Sequence, residues 1–112
     1  MTKNNLGSIE IKPQALAVII SIAASEVEGV SKLVGSLRSS TLEKIGKKEY
    51  SKGVKLSFEE EKLNIEVFCN LKTGYPVASV AGKIQDNIRN SLYNMTDIVA
   101  NSVNVNILGI DY

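Results

Sequence analysis

The apolar positions of this chain change period along its length, and the changes divide it into elements. Leu63, Ile65, Val67, Cys69 and Leu71 alternate with Asn64, Glu66, Phe68 and Asn70. Successive strand side chains point to opposite faces, so residues 62–72 read as a long strand with one apolar face. Val54, Leu56 and Phe58 alternate with Lys55 and Ser57 just upstream, which predicts a partner strand over 54–58. The two form an antiparallel hairpin closed by Glu59-Glu60-Glu61-Lys62, without the Gly or Asn a tight primed turn favours. Val103, Val105 and Ile107 alternate with Asn104 and Asn106, giving a last strand over 102–108, with Gly109 as the mark of a bulge. Shorter strands are predicted at 8–11 and 30–34.

Two stretches change to the helical period. In 76–95 the apolar stripe is Val77, Val80, Ala81, Ile84, Ile88, Leu92 and Met95, with Lys83, Asp86, Arg89 and Asn90 opposite. Pro76 suits the first turn, where its missing N–H costs nothing. Gly82 lies mid-helix, where glycine costs about 1 kcal/mol against alanine, so it either lets another backbone approach closely or is a tolerated defect. The second helix spans 13–28. Pro13 opens it, Leu16, Ile19, Ile20, Ala23 and Val27 form its buried face, and Gly29 closes it as a C-terminal glycine. The run LAVIISIAAS is apolar on nearly every side, so this helix is expected to be largely covered. Between 37 and 47 the pattern thins to Leu42 and Ile45, which gives a short helix running into a basic loop.

Burial then dictates the architecture. Two amphipathic helices and the strands give an α+β fold, a mixed sheet of three to four strands with both helices packed on one face. The connection from 62–72 to 102–108 is long enough for a parallel crossover. Residues 1–7 are expected to form a flexible N-terminus, and 8–112 a single domain. On the sheet face away from the helices, Phe68, Asn104, Asn106 and Leu108 form a candidate partner surface, unless 37–47 folds over it.

Composition adds mainly exclusions. A net charge of +1 gives no global attraction to nucleic acid or membrane. The charge is uneven, with nine Lys/Arg against five Glu up to residue 58 and the acidic excess after it. Lys44, Lys47, Lys48, Lys52 and Lys55 concentrate the positive charge. This stretch reads as a solvated loop or as a basic docking patch for an acidic partner, phosphate or anionic lipid. The single Cys offers no internal disulfide. There is no His, which removes Ser–His and Cys–His nucleophile pairs and His-ligated zinc. Cys69 falls on the apolar side of its strand and reads as a core thiol. Glu59-Glu60-Glu61 reads as a solvated turn, since consecutive residues point apart. No Gly-rich phosphate loop is present. No catalytic, cofactor-binding or metal-binding residue is assigned, and no cofactor is expected. The N-terminus has no apolar run, and no stretch reaches the ~18 apolar residues of a membrane span, so a cytoplasmic protein is expected.

Three stretches, IEIKPQALAVIISIAASEVEGV, IGKKEYSKGVKL and VAGKIQDNIRNSLYNMT through VNVNILGI, resemble the alkaline shock protein family. These are the Gls-type envelope stress response proteins found mainly in Gram-positive bacteria. The resemblance covers residues 6–110. It departs from the family pattern where Ala78 and Ser79 stand in place of the usual proline and acidic residue, with Pro76 two residues earlier. It implies a non-enzymatic interaction or scaffold protein of cell-envelope or fatty-acid homeostasis, with no catalytic residues to carry over. The implied partners are an integral membrane protein, through which the chain would reach the membrane, or a fatty-acid-synthesis enzyme, with a homo-oligomer as a further expectation. The alternative from the residues is a nucleic-acid-binding regulator using the Lys44–Lys55 stretch. Against it, only Phe68 is placed to stack a base.

Overall fold

The structure is a computed structural model and describes residues 9–35 and 48–112. Its elements in chain order are α1 (Pro13–Ser25), β1 (Val30–Leu33), β2 (Lys48–Ser51), β3 (Val54–Glu59), β4 (Lys62–Lys72), α2 (Val77–Thr96) and β5 (Ser102–Asp111). This is the α+β architecture that the apolar pattern predicts, with a five-stranded mixed sheet.

The sheet is organised around β4, the strand with the longest alternation. Along one edge β4 pairs antiparallel with β3, from Glu59–Lys62 to Val54–Val67. The same edge then pairs with β1, Leu33 beside Cys69 and Val30 beside Leu71. Phe68 is the seam between them: its N–H donates to Gly53 O at 2.9 Å and its C=O accepts from Val34 N–H at 2.8 Å. The other edge of β4 pairs with β5 in parallel, Ile65 beside Val103, as the long crossover through α2 requires. Cys69 sits beside Ile107 and Asn70 beside Gly109, so Leu108 is the extra residue of the bulge that Gly109 marks. β2 adds to the far side of β3.

The 59–62 turn is instructive. Glu60 and Glu61 both have positive φ, 51° and 66°, the left-handed geometry of a primed hairpin turn in residues that do not favour it. Six paired residues on each strand hold the register, and the turn conforms.

The core lies between sheet and helices. Leu16, Ala17, Ile20, Ala23 and Ala24 of α1 and Val80, Ile84, Ile88 and Leu92 of α2 pack against Val54, Leu56, Leu63, Ile65, Val67, Cys69, Leu71 and Val103. Side-chain amides secure the helix ends. Asn87 donates to Ala23 O at 2.7 Å, which satisfies a carbonyl of the last turn of α1 that has no partner within the helix. Arg89 and Gln85 donate to Ala100 O and Val103 O and hold α2 alongside the start of β5.

Several details differ from the pattern reading. Residues 9–11 are not a strand but an irregular lead into α1. α1 ends at Ser25, short of 28, and Gly29 stands beyond it in the turn entering β1. α2 begins at Val77, with Pro76 as its N-cap. The stretch 48–51, read as loop, forms the edge strand β2. The short helix expected over 37–47 lies outside the described residues.

At Gly82 the second reading holds. A Cβ there would meet no atom within 4 Å, so no other described part of the chain approaches it closely. Gly82→Ala is therefore expected to stabilise the protein by about 1 kcal/mol, by lowering the backbone entropy of the unfolded state. Thermal unfolding of the variant checks this, and a lowered midpoint contradicts it.

Candidate interaction surfaces

Two surfaces follow from the way the layers stack. The first is the sheet face turned away from the helices. Lys55 and Ser57 of β3, Asn64, Glu66, Phe68 and Asn70 of β4, and Ser102, Asn104 and Asn106 of β5 occupy it by strand alternation. Its two ends carry polar networks. Asn64 Oδ1 accepts from Asn101 and Ser102, both at 2.8 Å. At the other end the Asp111 carboxylate accepts from Ser31 at 2.6 Å and Asn70 at 3.3 Å, which ties the end of β5 across β4 to β1. A shallow polar depression beside the hairpin turn is lined by Glu59, Glu60, Lys62, Asn64 and Asn101.

The residues singled out from the sequence are distributed unevenly over this face. Phe68 and Asn106 are half-buried beside one another, Asn104 is exposed, and Leu108 projects from the bulge with 57% of its surface exposed. Of the lysines, Lys44 and Lys47 lie outside the described residues. Lys48 is exposed, with its ammonium 5.2 Å from the centre of the Tyr50 ring, a cation–π contact. Lys52 is exposed in the turn between β2 and β3. Lys55 is not a loop residue at all. It sits in β3 at 1% exposure, with its ammonium buried, 3.8 Å from Glu49 Oε1 and without a hydrogen bond. The other oxygen of Glu49 accepts from Gly53 N–H at 2.9 Å. Lys55 thus belongs to the attachment of β2, not to a surface patch. With Val54 and Lys55 both buried on opposite faces of one strand, the outer face is closed over β3 and partly open over β4 and β5.

The second surface was not singled out from the sequence. The α1 run, expected to be covered, buries one side against the sheet and leaves the other open: Val18 is 50% and Ile22 54% exposed. Between the helices, Ile19, Ile22, Ala23, Glu26, Ser91 and Met95 line a groove of about 170 Å³, and Met95 is 68% exposed at its end. The signal in the sequence was a helix apolar on both sides, which needs cover on both sides. The described residues supply α2 and the sheet for one of them.

Two titratable side chains are shifted from their ordinary values. Burial pushes the Cys69 thiol above its ordinary pKa, which lowers its thiolate content and nucleophilicity. Tyr75 is raised by the Glu28 carboxylate, which accepts its hydroxyl hydrogen bond at 3.2 Å. Among the described residues, no three Cys, Asp or Glu side chains gather in a way that would hold a metal ion.

The sequence profile of the alkaline shock protein 23 family, a family of cell envelope-related function, matches residues 1–112. The chain belongs to this family. It shares 39% identity over 108 residues with the uncharacterized protein YqhY of Bacillus subtilis (strain 168), covering 96% of this chain and 80% of that protein. It shares 32% over 111 residues with the uncharacterized protein Spy1535 of Streptococcus pyogenes serotype M6, covering 98% and 84%. A more distant relative is the uncharacterized protein YloU of Bacillus subtilis (strain 168), at 21% identity over 110 residues, 96% of this chain and 92% of that protein. No solved structure matches the chain. Among the described residues, no helix of this family member is long and apolar enough to cross a membrane.

Proposed function

We propose that this alkaline shock family protein is a non-enzymatic cytoplasmic scaffold. In this reading it supports cell-envelope or fatty-acid homeostasis by holding protein partners. The observation that carries the reading is the open groove on the helical layer. Val18, Ile22 and Met95 keep half or more of their surface in water, which is unfavourable for side chains that each gain about 1.5–3 kcal/mol on full burial. An apolar groove rimmed by Glu26 and Ser91 fits a protein surface, where a small apolar core inside a polar rim is the usual design. The partner classes in this proposal are an integral membrane protein, through which the chain would be held at the membrane, and a fatty-acid-synthesis enzyme. The nucleic-acid alternative draws less support, because Lys55 is buried and Phe68 only half exposed.

The test is crosslinked affinity capture from the native cells with the wild-type chain and with Ile22→Glu. Ile22 is half-exposed, so this change should alter stability by no more than about 0.5 kcal/mol. The wild type is expected to enrich a membrane protein or a fatty-acid-synthesis enzyme, and Ile22→Glu is expected to lose it. An identical set of captured proteins with both chains removes the groove from the proposal.

A further inference from the structure

β5 forms one edge of the described sheet. Among the described residues β5 pairs with β4 alone, which leaves a ten-residue strand (Ser102–Asp111) with one unpaired side. The direction of its backbone groups follows from the ladder. Phe68 N–H donates to Gly53 O, so the even-numbered residues of β4 turn their backbone groups toward β3 and the odd-numbered ones toward β5. With Asn64 beside Ser102 and Ile65 beside Val103, the β5 groups that meet them are those of Ser102, Asn104 and Asn106. The N–H and C=O of Val103, Val105 and Ile107 therefore point outward. The Gln85 amide reaches that side and takes Val103 O at 3.0 Å. Among the described residues, the outward groups of Val105 and Ile107 and the N–H of Val103 have no backbone partner.

Burial along the core face of β5 fades in the same place. Val103 is buried, Val105 and Ile107 are half-buried, and Ile110 is 37% exposed. Natural sheet edges are usually blunted by a charge or a proline. From Ser102 to Ile110 this strand has neither, and the Leu108 bulge limits the flat segment to 102–107.

We propose that β5 pairs antiparallel with β5 of a second copy of this chain, about a two-fold axis through Val105. The occupant is argued from the strand itself. Val103-Asn104-Val105-Asn106-Ile107 is self-complementary about Val105. Val105 faces its own copy in a hydrogen-bonded pair, Val103 faces Ile107, and Asn104 faces Asn106 on the outer side. Every apolar residue meets an apolar one and every amide an amide. The absence of charge over this stretch means that two identical strands approach without like-charge repulsion. The pairing joins two sheets into one and extends each half-covered β5 face with its copy. This proposal concerns the sheet edge and does not rest on which partner the helical groove takes.

The test measures oligomeric state and register together. Sedimentation of the full chain over a wide concentration range is expected to show a monomer–dimer equilibrium. Val105→Pro removes an N–H that lies outside the intrachain ladder, and is expected to abolish the dimer while the circular dichroism spectrum is retained. A second pair of variants reports the register without depending on that proline. Across a non-hydrogen-bonded pair the Cα atoms are about 4.5 Å apart, within the roughly 4.4–6.8 Å of a disulfide. Mixing Asn104→Cys with Asn106→Cys under mild oxidation is expected to give a disulfide-linked dimer. Either variant alone should not give one, because its cysteine and the copy's are diagonal neighbours about 7–8 Å apart. A chain that stays monomeric throughout overturns the proposal. So does a dimer that persists in Val105→Pro with no crosslink in the mixture.

Discussion

Ile65→Ala is expected to lower the unfolding free energy by about 4 kcal/mol, near the upper end of the roughly 2–5 kcal/mol seen for buried isoleucine truncations. Ile65 has no exposed surface. It lies mid-sheet, with Leu56 beside it in β3 and Val103 beside it in β5. Both neighbouring strands are fixed by ladder hydrogen bonds, and Ile84 and Ile88, above the sheet in α2, are also fully buried. The surroundings are thus poorly able to collapse into the space, and the cavity cost adds to the lost transfer energy. Domains of this size have roughly 5–15 kcal/mol of stability in all, so the variant should be marginal. Urea unfolding at equilibrium measures it: the midpoint should fall sharply with the slope unchanged. A loss below about 1 kcal/mol would mean that the core can rearrange around this site.

Gly53→Ala is expected to cost about 2–5 kcal/mol for a different reason. Gly53 has φ +77°, and a Cβ there would lie 2.8 Å from Phe68 O, 2.9 Å from Leu33 Cβ and 3.0 Å from Val34 N. The left-handed conformation alone costs an L-residue about 1–2 kcal/mol, and overpacking adds about 1–3 kcal/mol. Two of the three clashing atoms are backbone, held by the hydrogen bonds that join β1, β3 and β4 at Phe68, so they cannot give way. Gly74→Ala serves as the comparison. It has φ +90° and nothing within 4 Å of a Cβ, so it bears the conformational cost without the clash. Denaturation of both variants should place Gly53→Ala clearly below Gly74→Ala. Equal losses would show that the junction yields.

Three glycines thus carry opposite expectations, and the sequence shows none of the differences. Gly53 fills a crowded junction, Gly74 only a turn, and Gly82 nothing. A glycine in a pattern announces that a side chain is missing. What stands in its place depends on residues far away in the chain: at Gly53 these are Leu33, Val34 and Phe68.

The candidate surfaces divide in the same way. Phe68, Asn104 and Asn106 fall on the outer face because alternation alone assigns them there, whereas Leu108, the extra residue of the bulge, stands outside that alternation. The burial of Lys55 was hidden, because alternation says which way a side chain points but not whether something lies over it. The open side of α1 was hidden for a related reason. An apolar run looks the same whether its second side is covered by its own chain or left in water, and only the positions of α2 and the sheet show that Val18 and Ile22 stay open.

The sequence by itself determined the local elements and the family. The β3–β4 hairpin, the strand β5, the helix α2 and the bulge at Gly109 follow from periods of two and 3.6 and their interruption, which are properties of neighbouring residues, and the parallel direction of β5 follows from the length of the connection through α2. The tertiary structure alone decided that residues 48–51 are a strand, that β1 and β3 share one edge of β4, that Lys55 is buried, and that β5 pairs with β4 alone among the described residues. Each of these depends on which segments meet, and contacts between distant residues leave no periodic trace in either segment alone.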